Sequence, residues 1–246
     1  MVGDASKQLR IVSFRTIEIA RQRRVRRCHA EAMTHPIWPL FDLRVRTPVL
    51  ELRYIDDALA VELAQLAAGG IHDPAYMPFA LPWTDEPSPQ LERNAIQWYW
   101  RGRAELSPES WRIELAVILD GAAIGTTGLI ADHFPTLRQF ESGSWLGREF
   151  QGRGLGTEMR RATLHLGFDG LGAEYATTVA WHDNGASLGV TRSLGYQQDS
   201  SRRAVRRGEA TEQIGFRMHR DDWLQRLRRD DIVIDGLSPC LPLLGL

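Results

Sequence analysis

The stretch Trp145-Leu-Gly-Arg-Glu-Phe-Gln-Gly-Arg-Gly-Leu-Gly-Thr157 decides the fold, because it predicts a short strand, a glycine-rich turn and the start of an amphipathic helix. Three glycines within residues 151–156 let the backbone approach a ligand closely. A row of amide N–H groups and the positive end of a helix can then face one anion. The stretch therefore predicts a socket for a pyrophosphate.

Two better-known phosphate loops do not fit this stretch. A P-loop ends in Gly-Lys-Ser/Thr, whereas this turn continues as Gly156-Thr157-Glu158. The dinucleotide-binding fingerprint places its third glycine at position 157, which is a threonine here, and it opens a fold instead of following more than 100 residues. The pattern that remains is Gln-x-x-Gly-x-Gly.

This pattern between a strand and a helix resembles the acetyl-CoA signature of the GCN5-related N-acetyltransferases, the GNAT family. The resemblance covers about residues 43–223: residues 143–147 look like the family's fourth strand, 154–168 its third helix, 175–181 its fifth strand and 184–196 its fourth helix and exit turn. It implies an α/β (α+β) GNAT fold. That fold has a mixed, mostly antiparallel sheet of six to seven strands with about four helices, and strands four and five splay apart.

Two shorter motifs resemble one branch of this family. Asn184-Gly-Ala-Ser187 and Leu194-Gly-Tyr196 are similar to the RimJ/RimL-type branch, whose members acylate amines. Within it, Gly70-Ile-His-Asp-Pro74, Met77-Pro-Phe79 and Pro82-Trp-Thr-Asp85 resemble an actinobacterial subgroup that includes a succinyltransferase. The resemblance implies acetyl-CoA or succinyl-CoA as cosubstrate and a primary amine of a small molecule or a protein as acceptor.

Charge divides the chain unevenly. The formal net charge is −1, but residues 1–32 carry eight Lys/Arg against three acidic residues, a net +5 that leaves −6 for the remainder. We expect a basic, disordered arm over residues 1–42, a GNAT domain over 43–223 and a tail over 224–246, with Met33 as a second candidate start of translation. The acidic remainder argues against a general nucleic-acid binder and suits a cationic amine.

Residue usage predicts the compartment. The two cysteines, Cys28 and Cys240, lie outside the expected domain and have no metal-ligand spacing, which favours a reducing cytoplasm and no metal cofactor. No apolar run is long enough for a membrane span. The apolar residues 237–246 need to pack either on the chain's own body or on a second subunit, so a homo-oligomer is one expectation.

The pattern of elements before the glycine-rich turn is readable. Residues 49–54 alternate as a strand, and Asp56 or Asp57 can cap a helix that ends at Gly69-Gly70. Residues 71–89 contain five prolines and predict a long loop of the kind that forms lids. A helix over 89–105 and a hairpin around Asp120-Gly121 follow. Later, residues 203–207 and 213–218 predict two strands, and residues 231–236 can add one more.

The family resemblance implies which residues hold CoA. Backbone amides around the turn would bind the pyrophosphate, the pantetheine arm would add to the fourth strand, and the Leu146 N–H would donate to the thioester carbonyl. The expected contacts are Trp145, Leu146, Gly147, Gln151, Gly152, Arg153, Gly154, Leu155, Gly156, Thr157, Asn184 and Ser187.

Catalytic candidates each have a second, purely structural interpretation. Ser187 can protonate the leaving thiolate, or cap a helix together with Asn184; Tyr196 can do the same as Ser187, or belong to the core. Glu141 is the candidate base, or a solvated carboxylate at a strand end.

Acceptor-binding candidates lie in and after the proline-rich loop. His72 and Asp73 can bind the acceptor and are the second candidates, after Glu141, for taking the amine proton, or they merely cap that loop. Trp83, with Trp98 and Trp100, can shape the acceptor pocket or fill the core.

Two functions of different classes follow. The first is an acyl-CoA-dependent N-acyltransferase that works by direct attack of the amine in a ternary complex. The second is a noncatalytic acyl-CoA-sensing or partner-binding module, whose arginine-rich arm contacts nucleic acid or a protein.

Overall fold

The computed structural model describes residues 35–246. The expected basic arm, apart from its last residues, and Cys28 lie outside this range. Residues 39–42, assigned to the arm above, form a 3-10 turn whose Leu40 is fully buried, so the folded body already includes them. Residues 37–246 form one compact unit.

A single nine-stranded sheet runs through this unit in the order β7-β8-β6-β5-β4-β3-β2-β1-β9. All neighbouring strands are antiparallel except the parallel pair β5/β6. The strands are β1 Arg44–Arg46, β2 Glu51–Tyr54, β3 Ser110–Leu119, β4 Ala122–Asp132, β5 Gln139–Leu146, β6 Tyr175–Trp181, β7 Gln197–Arg206, β8 Glu209–His219 and β9 Val233–Asp235.

Within the described residues, five α-helices have at least seven residues. They are α1 Asp57–Ala68, α2 Gln90–Ala104, α3 Leu155–His165, α4 Gly185–Ser193 and α5 Arg220–Arg226. A single helical turn, Phe134–Leu137, precedes β5. None of the helices in this part of the chain is long and apolar enough to cross a membrane.

The sheet carries a separate core on each face. Leu63 of α1 and Tyr99 of α2 pack with Ala116 on one face. Leu155 and Met159 of α3 belong to the large cluster on the opposite face. This two-sided arrangement of helices on a mixed sheet confirms the expected fold class.

Turn and cap residues explain where the elements begin and end. The Asp56 side chain accepts a hydrogen bond from the Leu59 N–H at 2.8 Å, which caps α1. Asp120 and Gly121 both have positive φ, the conformation that a two-residue turn needs to join β3 to β4. Arg207 and Gly208 repeat that turn between β7 and β8.

The sheet is larger than the expected six to seven strands. The prediction missed β1, because a three-residue strand carries no readable alternation, and it offered β9 only as a possible addition. Both lie at one edge, where β1 pairs with β2 and β9. The apolar segment that follows packs on the chain's own body, where Cys240 and Leu244 are fully buried.

Candidate functional site

The glycine-rich turn leaves a row of amides without acceptors. Gly152 and Gly154 have φ of +70° and +79°, and α3 begins directly afterwards at Leu155. In the described part of the chain, none of the five consecutive N–H groups of residues 152–156 donates to another residue. A Cβ at Gly152 or Gly154 would meet no atom within 4 Å, so the space beside these amides is open. This is the geometry of an anion socket at a helix N-terminus.

The side chain of Gln151 holds the turn in place. Its Nε2 donates to the Leu146 carbonyl at 2.8 Å and to the Ile71 carbonyl at 2.9 Å. Both hydrogens of the Gln151 side-chain amide are therefore used within the protein, so this side chain fixes the position of the turn. Arg153 is exposed, with its guanidinium 5.9 Å from the centre of the Phe150 ring.

Strands β5 and β6 separate beside this turn. Their parallel pairing covers only residues 139–141 of β5 and 175–177 of β6. One residue further, the Thr178 hydroxyl still donates to the Ser142 carbonyl at 2.9 Å. From there to Leu146 the described structure has no ladder pair between the two strands, which confirms the expected splay.

The backbone of β5 presents donors to this gap. The Gly147 N–H donates to the Ile124 carbonyl of β4 at 2.9 Å, so by alternation the N–H groups of Leu146 and Ser144 point away from β4 and into the gap. Gly125 lets the strands meet here, since a Cβ at that position would lie 2.2 Å from the Trp145 carbonyl oxygen. The gap is thus lined by rigidly held amides.

A cavity of about 490 Å³ opens on the face of the sheet that carries α1 and α2. Trp83, Trp98 and Trp145 line it, together with Phe79, Leu81, Tyr99, Glu114, Thr126, Gly128, Ile130, Gly143 and Ser144 among others. The indole rings of Trp83 and Trp145 lie 6.1 Å apart. Trp100, by contrast, points outward and donates to Asp57.

Glu114 supplies the carboxylate of this cavity. It forms a cross-strand row with Gly128 and Gly143, and these two glycines leave the space that its side chain and a ligand need. The Trp98 Nε1–H donates to Glu114 Oε1 at 3.2 Å, and the guanidinium of Arg112 lies 3.9 Å from the Trp98 ring centre. Burial raises the pKa of the Glu114 carboxyl above its usual 4.5, while Trp98 and Arg112 act in the opposite direction.

Glu141, the base candidate from sequence, lies one row further along the sheet. Its partner on β4 is Ile130, so its side chain is on the cavity face, but it is exposed and is not part of the cavity wall. The surrounding protein partly shields its carboxyl from water, which raises the pKa of that carboxyl, and the positive charge of Arg202 acts in the opposite direction. Glu114 is the better-placed carboxylate.

The three candidates beyond β6 have different environments. Asn184 Oδ1 accepts from the Ser187 N–H at 3.1 Å, so the capping interpretation holds for Asn184. The half-buried Ser187 hydroxyl makes no hydrogen bond to any described residue. Tyr196 is buried in the core, and its hydroxyl has no partner there.

The proline-rich loop closes over the cavity, but His72 and Asp73 do not line it. The ring nitrogens of His72 lie 2.6 Å from the Thr84 hydroxyl and 2.8 Å from the Asp73 carbonyl, while the Asp73 side chain accepts from the Ala75 N–H. Both residues therefore order the loop itself. Trp83, from the same loop, does form part of the cavity wall.

Polar contacts fasten this loop to the β7–β8 turn and to Asp183, which follows β6. Arg207 bonds Asp85 and the Pro74 carbonyl, and Arg206 bonds Asp183, which also accepts from the Tyr76 hydroxyl. The hydrogen bonds from Arg206 lower the pKa of Asp183 to about 2. We call these contacts, the Arg207–Asp85 ion pair and the hydrogen bonds that Asp183 accepts from Tyr76 and Arg206, the loop clamp.

Glu114 was not among the candidates that the sequence suggested. The signal was present, because residues 111–117 alternate as a central strand and an acidic side chain in its middle needs a compensating reason. Its partner Gly128 lies on a different strand of the hairpin, and register is what brings the two together.

Comparison with known proteins agrees with the fold. The family described as "Acetyltransferase (GNAT) domain" matches residues 50–197, so the chain belongs to the GNAT acetyltransferase family. The expectation of an enzyme of this family is thereby confirmed.

Several solved structures have the same fold. A GCN5-related N-acetyltransferase from Brucella melitensis has a TM-score of 0.60 at 18% identity, covering 74% of this chain and 80% of that one. RimL, a ribosomal L7/L12 alpha-N-protein acetyltransferase in complex with coenzyme A, has a TM-score of 0.58 at 16% identity, covering 70% and 95%. The microcin C7 self-immunity acetyltransferase MccE, in complex with acetyl-CoA and AMP, has a TM-score of 0.58 at 18% identity, covering 70% of this chain and 93% of that one. At these identities the likeness concerns the fold.

Proposed function

We propose that the protein is an acyl-CoA-dependent N-acyltransferase that moves an acetyl or succinyl group to a primary amine by direct attack in a ternary complex. The observation that carries this proposal is the position of β5. Its Ser144 and Leu146 amides face the gap beside the anion socket, while Gly143 and Trp145 border the cavity that contains Glu114. A donor and an acceptor bound on the two sides would meet across one strand.

On the donor side, the free amides of residues 152–156 bind the pyrophosphate of CoA. The pantetheine arm enters the gap between β5 and β6 and bonds to the backbone of β5 as an added strand would. The Leu146 N–H then donates to the thioester carbonyl, where negative charge develops during attack.

On the acceptor side, an amine enters the tryptophan-lined cavity. An alkylamine with a pKa of about 10.4 is only about 0.1% neutral near pH 7, so a base must accept its proton. Glu114 is the base that the geometry favours, with Glu141 as the alternative. The amine nitrogen forms a bond to the thioester carbon, the C–S bond breaks and free CoA leaves.

The departing thiolate takes a proton from Ser187 at the start of α4, whose hydroxyl bonds to no residue between 35 and 246. Tyr196 is the second candidate, supported by its unpartnered hydroxyl. Asn184 contributes by capping the helix that carries Ser187. The cytoplasmic location expected from cysteine usage remains part of this proposal.

Release of free CoA thiol tests the proposal. Acetyl-CoA and succinyl-CoA are each incubated with a peptide N-terminus, a lysine side chain, a polyamine and an aminoglycoside, and thiol is measured over time. We expect amine-dependent release with at least one acceptor class. Tight binding of CoA without release in all combinations would instead indicate the noncatalytic acyl-CoA-sensing module.

A further inference from the structure

The tryptophan-lined cavity has an open floor beside its carboxylate. Glu114 lies over Gly128 of β4, whose missing side chain leaves room for the carboxylate. Gly143 continues this row on β5, and a Cβ at Gly143 would meet no atom within 4 Å. Neighbouring strands lie about 5 Å apart, so the space above Gly143 is within hydrogen-bond reach of the carboxylate. The amine of an acceptor fits into this space, beside the strand that the thioester would follow.

Aromatic side chains form the walls above this floor. The ring centres of Phe79 and Trp83, both from the proline-rich loop, lie 5.3 Å apart, and those of Trp83 and Trp145 lie 6.1 Å apart. Trp98 adds a further ring from α2. Tilted and edge-to-face rings at such separations attract one another. A planar ring that enters the cavity would therefore find the same contacts that these side chains make among themselves.

The charges around the cavity suit a ligand with one positive group. Within residues 35–246, Glu114 is the only acidic residue of the wall and Arg101 is its only basic residue. Glu141 shares this face of the sheet but lies outside the wall, with the positive charge of Arg202 nearby. A second ammonium group would thus lie among apolar rings or near Arg101, and burial of an unpaired charge is costly.

The volume of the cavity limits the size of the ligand. The cavity measures about 490 Å³, whereas about 150 Å³ is enough for a benzene molecule. It therefore has room for a ring, a short alkyl chain and an amine. The loop that carries Phe79 and Trp83 is held by the loop clamp, so the cavity is covered on that side.

We propose, on the basis of the proposed function, that the preferred acceptor is a primary monoamine with an aromatic ring on a short alkyl chain. Its amine lies above Gly143 beside Glu114, and its ring packs against Trp83 and Trp98. Trp83 is thus a specificity-determining residue of the acceptor site. Other primary amines that reach Glu114 should also react, with a lower kcat/KM, because the acyl transfer itself is unchanged.

Two matched pairs of amines test this inference. Phenylpropylamine and cyclohexylpropylamine, both with the amine at the chain end, differ only in whether the ring is aromatic. Hexylamine and cadaverine have the same number of non-hydrogen atoms but one and two amines, respectively. Release of free CoA thiol from acetyl-CoA gives kcat/KM for each amine.

The expected ranking follows from the walls and their charges. Phenylpropylamine should exceed cyclohexylpropylamine about 3- to 10-fold, the ratio that aromatic contacts produce. Hexylamine should exceed cadaverine by about 10-fold or more, because the second ammonium of cadaverine has no carboxylate in the wall. An equal or reversed ranking within either pair would overturn the inference.

A tryptophan variant assigns the ring preference to the wall. Trp83→Leu keeps an apolar side chain but removes the ring, and should bring the two ring-containing amines to within about twofold of each other. Trp100→Leu is the matched control, because Trp100 points outward and donates to Asp57; it should retain the preference. A ring preference that survives in Trp83→Leu would contradict the role of Trp83.

A second variant tests the charge of the wall and does not depend on the folding of Trp83→Leu. Leu81 lines the cavity but is 66% exposed, so its replacement removes little buried packing. Leu81→Glu adds a second carboxylate and should raise kcat/KM for cadaverine about 10-fold relative to hexylamine. An unchanged ratio of these two amines would refute the argument from charge.

Failure of this inference is distinguishable from failure of the proposed function. Faster release with cadaverine or with a peptide N-terminus than with phenylpropylamine would refute only the aromatic monoamine. Absence of amine-dependent release with every amine would refute the proposed function itself.

Discussion

Glu114 is the residue on which the proposed chemistry depends most. Its partner on β4 is Gly128, where a Cβ would lie 2.8 Å from Glu114 Oε2, and the Trp98 N–H donates to its other carboxylate oxygen. The sequence shows the charge but not the register, so Glu141 was the natural candidate from the chain alone. Strand pairing, which joins residues far apart in sequence, places Glu114 in the cavity wall and leaves Glu141 outside it.

Replacement of Glu114 should therefore separate binding from catalysis. We expect Glu114→Gln to lower kcat/KM by about 10²–10⁴-fold, the usual contribution of a positioned base, while CoA affinity is unchanged. Glu141→Gln is the matched variant, on the same face of the sheet but outside the cavity, and should lose much less. A larger loss in Glu141→Gln would return the role of base to that residue.

The pKa shift of Glu114 predicts two pH effects of opposite kind. Activity needs the carboxylate, so kcat/KM should increase as pH increases through a value above 4.5, and this limb should be absent in Glu114→Gln. Stability behaves in reverse: because the folded-state pKa is raised, the neutral acid stabilises the fold at low pH, and that contribution is lost as pH increases through the folded pKa. At neutral pH, Glu114→Gln should melt no lower than the wild type, and a clearly lower Tm would contradict this assignment.

Ser187 and Asn184 offer a second comparison at the residue scale. Asn184 caps α4, so Asn184→Ala should destabilise the protein by about 1 kcal/mol. Ser187→Ala removes a hydroxyl that no described residue uses, so it should lower kcat about 10²-fold or more with an unchanged Tm. Steady-state kinetics and melting curves distinguish these outcomes. A Ser187→Ala protein with normal kcat would shift the role of acid to Tyr196.

At the scale of elements, the glycine-rich turn was predicted correctly from sequence because its conformation is local. Glycines that need positive φ and a following amphipathic helix are visible within a dozen residues. The hairpin at Asp120-Gly121 was equally readable. The loop clamp was not, since it joins Arg207 to Asp85 and Arg206 to Asp183 across distant parts of the chain.

The turn predicts a specific effect of substitution. Gly154→Val places a branched side chain beside the free amides and should abolish CoA binding in calorimetry. Gly172→Val is the control, because Gly172 also has positive φ, of +71°, and open surroundings, but lies before β6 away from the turn. Both variants should lose at least about 1–2 kcal/mol of stability through backbone strain. Gly172→Val should still bind CoA; wild-type CoA affinity in folded Gly154→Val would refute the socket.

The clamp predicts how the loop responds to salt and pH. The Arg207–Asp85 ion pair is partly exposed, so 1 M NaCl should screen it and raise KM for the amine, and Arg207→Gln should show a smaller salt effect. Because the pKa of Asp183 is lowered to about 2, the contribution of its pair is present above the ordinary carboxyl pKa and is lost as pH falls toward 2. Limited proteolysis of residues 71–89 measures loop opening. Identical cleavage rates in Arg207→Gln and wild type would rule out the clamp.

For the whole molecule, the sequence predicted the fold class and the splay through family resemblance, and the structure agrees. The edge strands β1 and β9 and the packing of the last ten residues needed the structure, because three-residue strands and an apolar tail fit several placements equally well. The relation between the glycine-rich turn and the tryptophan-lined cavity could also be read only from the structure. Only the assembled sheet shows that one strand, β5, separates an anion socket with its gap from a cavity with a carboxylate.

A crystal structure of the protein with CoA and a bound amine tests that central relation most directly. We expect the pyrophosphate within hydrogen-bond distance of the amides of residues 152–156 and the pantetheine arm between β5 and β6. We also expect the CoA sulfur at the Trp145 end of the cavity, with the amine between that sulfur and Glu114. CoA bound elsewhere, or an amine bound away from the Glu114 cavity, would contradict it.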